Sequence, residues 1–193
     1  MVFLASPSEL KNERQLFRET IWTFNEKRAL TTNVVFIPVM REQMTGGAEQ
    51  AQGRINKRIE ECDYCITIFW NTLGSPPEKD SPKGSKSVTD GEYRKALEQK
   101  KKGKMNEVVI FFKKIPSYMD NDPGEALKAL KAYKEQRQKD SDYVNFDGDI
   151  EFKERVNDHL FEWLMKNTPA GRLKGPPAGV SDYEKPESMK ESR

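Results

Sequence analysis

Four short apolar runs, separated by segments of helical periodicity, set the tightest limit on what this chain can fold into. The runs are Val2–Ala5, Val34–Val39, Tyr64–Trp70 and Val108–Phe112, rich in β-branched and aromatic residues. Near-continuous apolar character over about 4–7 residues, with helices between the runs, marks a parallel sheet covered on both faces. Proline has no N–H to give to a strand ladder, so Pro38 is expected to end the second strand. Tyr143–Phe146 reads as a short fifth strand at a sheet edge. The expected architecture is therefore α/β, with four to five parallel strands.

The intervening segments carry helix signals. Ser8 reads as an N-cap with Glu9 early in the first turn, opening a helix striped by Leu10, Phe17, Ile21 and Phe24. A second helix is expected from about Ala48 to Glu61, after Gly46-Gly47, with Ala51, Ile55 and Ile59 as its apolar stripe. A third is expected to start near Thr89, capped by Thr89 or Asp90, and to reach about Lys101. Lys100, Lys101, Lys102 and Lys104 at its end read as a solvated terminus, where the helix dipole favours cations. Further helices are expected over about Gly124–Gln138 and Ile150–Lys166. The last is striped by Phe152, Val156, Leu160, Trp163 and Leu164, with His159 beside the stripe in a structural or exposed role.

Composition narrows the function classes. The 193 residues include 33 basic and 31 acidic side chains, a formal net charge of +2, which argues against a dedicated nucleic-acid surface. The only cysteines, Cys62 and Cys65, straddle the start of a strand and read as reduced thiols in a half-buried strand. A zinc site needs about four ligands, and the single histidine, His159, is remote in sequence, so no metal is expected. No apolar stretch approaches the ~20 residues of a membrane span, and the amino terminus lacks the pattern of a signal peptide. A cytoplasmic protein without membrane association is the expectation.

From Thr168 the chain turns rich in Pro, Gly and charge. The expected division is an α/β domain over residues 1–167, then a disordered tail or linker over 168–193, with a C-terminal signalling domain outside this chain. In an open parallel sheet, ligands bind beyond the carboxyl ends of the strands. Three polar segments are expected there: Ser6–Arg14, Met40–Gly47 and Asn71–Glu92. The third is unusually long for a loop in a compact domain, which points to function or disorder.

The opening Val2-Phe3-Leu4-Ala5-Ser6-Pro7-Ser8-Glu9-Leu10, followed by Glu13-Arg14, resembles a TIR-like family found at the amino ends of large signalling ATPases of the STAND type. Ile59-Glu60-Glu61-Cys62-Asp63 leading into Tyr64–Phe69 agrees with it, as does Ser87-Val88-Thr89-Asp90-Gly91-Glu92-Tyr93. The resemblance covers about residues 2–112. It implies a flavodoxin-like, TIR-like three-layer fold. It also implies an NAD glycohydrolase acting in innate immune or antiphage signalling, switched on by oligomerisation.

On that resemblance Glu92 is the catalytic residue, and Glu92-Tyr93-Arg94-Lys95-Ala96-Leu97 looks like the Glu-x-x-x-Ala-Leu of active members. Ser6, Ser8, Arg14, Trp70 and Tyr93 are its candidate substrate contacts. NAD is then a substrate and no cofactor is implied. The aromatic residue often found four positions before the glutamate is Val88 here. Read without the resemblance, Glu92 is an acidic residue in a helix's first turn, Ser6, Ser8 and Arg14 cap and pair, and Trp70 is core. Two other functions stay open: a non-catalytic TIR-like interaction module, partnered by itself or by other TIR-like domains, and a nucleoside deoxyribosyltransferase-like enzyme.

Overall fold

Five strands and six helices follow one another along the chain in the computed structural model, which describes residues 1–41, 51–138 and 143–167. The strands are β1 (Val2–Ala5), β2 (Pro38–Met40), β3 (Tyr64–Phe69), β4 (Glu107–Lys113) and β5 (Tyr143–Phe146). The helices are α1 (Lys11–Thr32), α2 (Ala51–Glu60), α3 (Val88–Lys101), α4 (Ser117–Asn121), α5 (Glu125–Gln138) and α6 (Gly148–Asn167). All strand pairs are parallel, in the order β2-β1-β3-β4-β5. The expected α/β fold with a flavodoxin-like three-layer arrangement is what the chain adopts. The Gly46-Gly47 break, the expected helix start at Ala48, most of the Met40–Gly47 segment and the tail over 168–193 lie outside the described residues.

Side-chain alternation along the strands sorts the core into two faces. Val2, Leu4, Tyr64, Ile66, Ile68 and Phe111 pack with Phe17, Ile21 and Phe24 of α1 and Phe152, Val156, Leu160 and Trp163 of α6. On the other face, Phe3, Ala5, Val39 and Cys65 meet Ile55 and Ile59 of α2 and Ala96 of α3. Phe69, Ile110 and Phe112 meet Tyr93 of α3 and Leu127, Leu130 and Tyr133 of α5. Trp163 anchors the first face: its ring stacks on Tyr64 with centroids 4.2 Å apart, and its Nε1 donates to Glu107 at 2.8 Å.

Several expected boundaries are corrected. β2 begins at Pro38 rather than ending there. It is an edge strand, and the Val2 N–H reaches the Ile37 carbonyl at 2.9 Å, so the missing proline donor is not needed between strands. Ser8 does not cap α1, which starts at Lys11 after Leu10 without a side-chain cap and carries Glu13 in its first turn. The cap of α3 is neither Thr89 nor Asp90 but Ser87, whose Oγ accepts from the Asp90 N–H at 3.0 Å. β3 is buried along its whole length rather than half-buried, because α1 and α6 cover one face and α2 and α3 the other.

Both thiols are accordingly inside, and burial pushes the Cys62 thiol up to about 12 and that of Cys65 upward as well. Among the described residues no three His, Cys, Asp or Glu side chains gather closely enough to hold a metal ion. No described helix is long and apolar enough to cross a membrane.

Candidate active site

The strand order creates the site. From β1 the chain passes through α1 to β2 on one side, then through α2 to β3 on the other side of β1. The crevice between β1 and β3, at their carboxyl ends, is the switch point where open parallel sheets bind ligands. A cleft of about 430 Å³ opens there. Its walls are Leu4, Ser6, Pro7, Ser8 and Arg14 after β1, Arg41 after β2, Ser75 and Glu78 from the β3–α3 connection, and Val88, Thr89 and Glu92 from α3.

The β1 wall is organised by Arg14. Its Nη1 donates to the Pro7 carbonyl at 2.7 Å and the Ser6 Oγ at 3.2 Å, and its Nη2 donates to the Ser8 carbonyl at 2.9 Å. One guanidinium thus holds two loop carbonyls and a hydroxyl; the Pro7 carbonyl also accepts from the Leu10 N–H at 3.2 Å.

The long β3–α3 connection, residues 70–87, folds as a strap over α2 and α3. Ser87 Oγ donates to the Leu73 carbonyl at 2.6 Å, and the Val88 N–H bonds the Ser75 carbonyl at 2.9 Å. Asn56 of α2 donates to the Asp80 carbonyl at 3.0 Å. Gly91 lets the strap approach: a Cβ there would meet Ser85 Oγ at 3.3 Å and Ser81 Cβ at 3.4 Å. Asp90, completely buried, closes the arrangement. It accepts from the Lys86 N–H at 2.8 Å, Arg94 Nε at 2.8 Å and the Tyr133 hydroxyl at 2.8 Å.

Glu92 therefore lies in the second turn of α3, not in the first as expected; the acidic residue of the first turn is Asp90. The dipole explanation thus passes from Glu92 to Asp90. Glu92 is 2% exposed, and its Oε1 accepts no hydrogen bond. Its nearest cation is Arg41, with Nη1 at 3.6 Å from Oε1, while Arg41 Nη2 pairs with Glu78. Burial pushes the Glu92 carboxyl up to about 8, against the pull of Arg41 and with a smaller upward push from Glu78. Desolvation outweighs the ion pair because the guanidinium is shared with a second carboxylate. Burial thus favours the protonated, neutral form of this carboxyl, and its Oε1 is left without a hydrogen-bond partner.

Ser6, Ser8, Arg14 and Glu92 come together around this one cleft. Trp70 and Tyr93 do not line it. Trp70 follows the register of Tyr64, Ile66 and Ile68 and packs against the α1/α6 face, with Lys113 Nζ 5.0 Å from its ring centroid. Tyr93 is 2% exposed in the layer between α3 and α5, with the Arg137 guanidinium 5.5 Å from its ring. His159 is half-buried between Phe111 and Trp163, at 5.6 and 5.7 Å, and burial lowers its pKa. Arg41 and Glu78 were not singled out by sequence reasoning. The only signal for them is their presence in two of the segments expected at the strand ends.

No curated protein matches this sequence. The profile of the family described as "Domain of unknown function (DUF4062)" matches residues 1–161, and the chain belongs to that family.

Proposed function

We propose that this TIR-like domain hydrolyses NAD at the nicotinamide–ribose bond, with Glu92 as the catalytic residue. The observation that carries the reading is the buried Glu92 carboxyl in the switch-point cleft, whose Oε1 has no hydrogen-bond partner. Groups whose protonation is strongly shifted by burial inside a cleft are candidates for chemistry. The structural alternative leaves a costly buried carboxyl without a function.

NAD suits this group because its nicotinamide ring is a cation. A pyridinium or the developing oxocarbenium centre, brought against Glu92, adds a positive charge that Glu92 need not share, unlike Arg41, which also pairs with Glu78. The proton then leaves, and the carboxylate stabilises the charge that builds on the ribose as the C–N bond breaks. The electron pair of that bond goes to the ring, which departs as neutral nicotinamide and needs no acid. The hydroxyls of Ser6, Ser8 and Thr89 line the same cleft and are available to the ribose or phosphates. Arg14 is committed to its loop and acts by shaping that wall. Trp70, on the other face of the sheet, and Tyr93, in the α3/α5 layer, are set aside as substrate contacts.

Exposed apolar side chains support self-association as the activating event. Trp22, Val35 and Ile37 are each more than half exposed on α1 and the segment leading into edge strand β2. The same observation favours the second reading, a non-catalytic interaction module. A role in immune or antiphage signalling follows from the TIR-like resemblance in either case.

The test is nicotinamide release from NAD by purified protein and by Glu92→Gln, each with and without forced clustering through a fused oligomeric tag. Clustered wild type releases nicotinamide, and Glu92→Gln is slower by ~10²–10³-fold. Clustered wild type that leaves NAD intact selects the interaction module. Turnover of a nucleoside without turnover of NAD selects the deoxyribosyltransferase-like reading.

A further inference from the structure

We infer that Glu78 is a second catalytic carboxyl of this cleft, the base that takes the proton from the attacking water. The inference rests on the NAD reading and adds to it the residue that makes the reaction a hydrolysis.

One guanidinium holds two carboxyls in contrasting environments. Glu92 is 2% exposed and lacks a hydrogen-bond partner on Oε1. Glu78 also lines the cleft, but its side chain is 36% exposed and rests on Arg41 Nη2. Glu78 is thus open to solvent, whereas Glu92 Oε1 is buried. Paired titratable groups held apart in this way divide acid, base and electrostatic roles between them.

The backbone around Glu78 supports such a role. Its N–H donates to Ser81 Oγ at 3.0 Å, and its carbonyl accepts from the Ser81 N–H at 3.0 Å. Asn56 ties the adjacent Asp80 carbonyl to α2. The carboxylate thus projects from a closed turn docked on a helix and pairs with Arg41 Nη2, while Arg41 Nη1 faces Glu92.

The step balances without any further reactant. The C–N bond to nicotinamide breaks, and its electron pair stays with the ring. A water oxygen bonds to the ribose carbon while one of its protons passes to a Glu78 carboxylate oxygen and then to solvent. The products are ADP-ribose, nicotinamide and one proton. Glu92 faces the ribose and Glu78 the nucleophile.

A nucleophile with no proton to lose separates this role from a structural one. With 3-acetylpyridine present, the ribosyl centre is captured by the pyridine nitrogen, giving the acetylpyridine dinucleotide without a base. Both products are measured for the clustered wild type, Glu78→Gln and Glu78→Asp, with melting temperatures as a check on folding. In Glu78→Gln, hydrolysis falls by ~10²-fold or more, exchange stays within about threefold, and Glu78→Asp recovers part of the hydrolysis. Parallel loss of hydrolysis and exchange means that Glu78 acts only by positioning Arg41 or the strap, and overturns the inference. Unchanged hydrolysis in Glu78→Gln overturns it too. If clustered wild type performs neither reaction, the NAD reading itself has failed, and this inference falls with it.

Discussion

Replacing Glu92 with glutamine raises the stability of the fold at alkaline pH by on the order of a few kcal/mol and leaves it nearly unchanged at pH 4. The sign follows from the direction of the shift. The carboxyl titrates near 4.5 when unfolded and near 8 when folded. Below 4.5 both states keep the proton, and burying the neutral group carries no charge penalty. Between 4.5 and 8 the unfolded chain releases the proton while the folded chain retains it, so stability is lost steadily as pH rises through this window. Glutamine has the same shape and no proton to lose. Urea unfolding of wild type and Glu92→Gln at pH 4, 6 and 8 measures the effect. A difference that is flat across the three pH values contradicts the account of Glu92 as a buried neutral acid. A variant that is more stable and less active is the signature of a residue kept for chemistry rather than folding.

Asp90→Ala has the opposite effect, a loss of about 3–5 kcal/mol, which for a domain of this size lowers Tm by roughly 6–20 °C. The completely buried carboxylate receives Arg94, the Lys86 N–H and the Tyr133 hydroxyl. Alanine leaves these donors without an acceptor, and removing one partner of a buried polar cluster costs more than the bonds themselves contribute. Tyr133→Phe deletes a single hydroxyl and costs only about 1–2 kcal/mol. The damage in Asp90→Ala is local as well as global, because the same carboxylate joins the strap to the first turn of α3. Hydrogen exchange over residues 73–88 accelerates in Asp90→Ala more than over β3 and β4. Equal losses in the two variants, or a uniform change in exchange, contradict the clamp.

The parallel sheet was legible because strands buried on both faces are written as continuous apolar runs. Helix stripes such as Phe152, Val156, Leu160 and Trp163 were legible because one face alone is buried. Boundaries were less so. Pro38 reads as a stop signal only if the strand is interior, and nothing local reveals that β2 lies at the edge. Ser8 looks like a cap, but it sits in a loop that Arg14 holds, and α1 begins only at Lys11. Trp70 could have been placed from the two-residue period, since it shares its face with Tyr64, Ile66 and Ile68.

Glu92 was legible as a candidate through the TIR-like resemblance, though its environment was not. Its position in the second turn depends on Ser87, rather than Thr89 or Asp90, being the cap. Its burial depends on a strap whose path is fixed by Asp90, Asn56 and Gly91. The meeting of Arg41, Glu78 and Glu92 unites residues from positions 41 to 92, and only the folded chain brings them together.

The central claim is that Glu92 is a neutral buried carboxyl that loses its proton to solvent when a cationic ribosyl substrate binds. Carbon-13 NMR of the Glu92 side-chain carboxyl, assigned by comparison with Glu92→Gln, tests this in the free protein and with a non-hydrolysable carbocyclic NAD analogue. The account predicts a midpoint near 8 in the free protein and a clear fall when the analogue binds. A midpoint near the ordinary carboxylate value, or one that the bound analogue leaves in place, contradicts it.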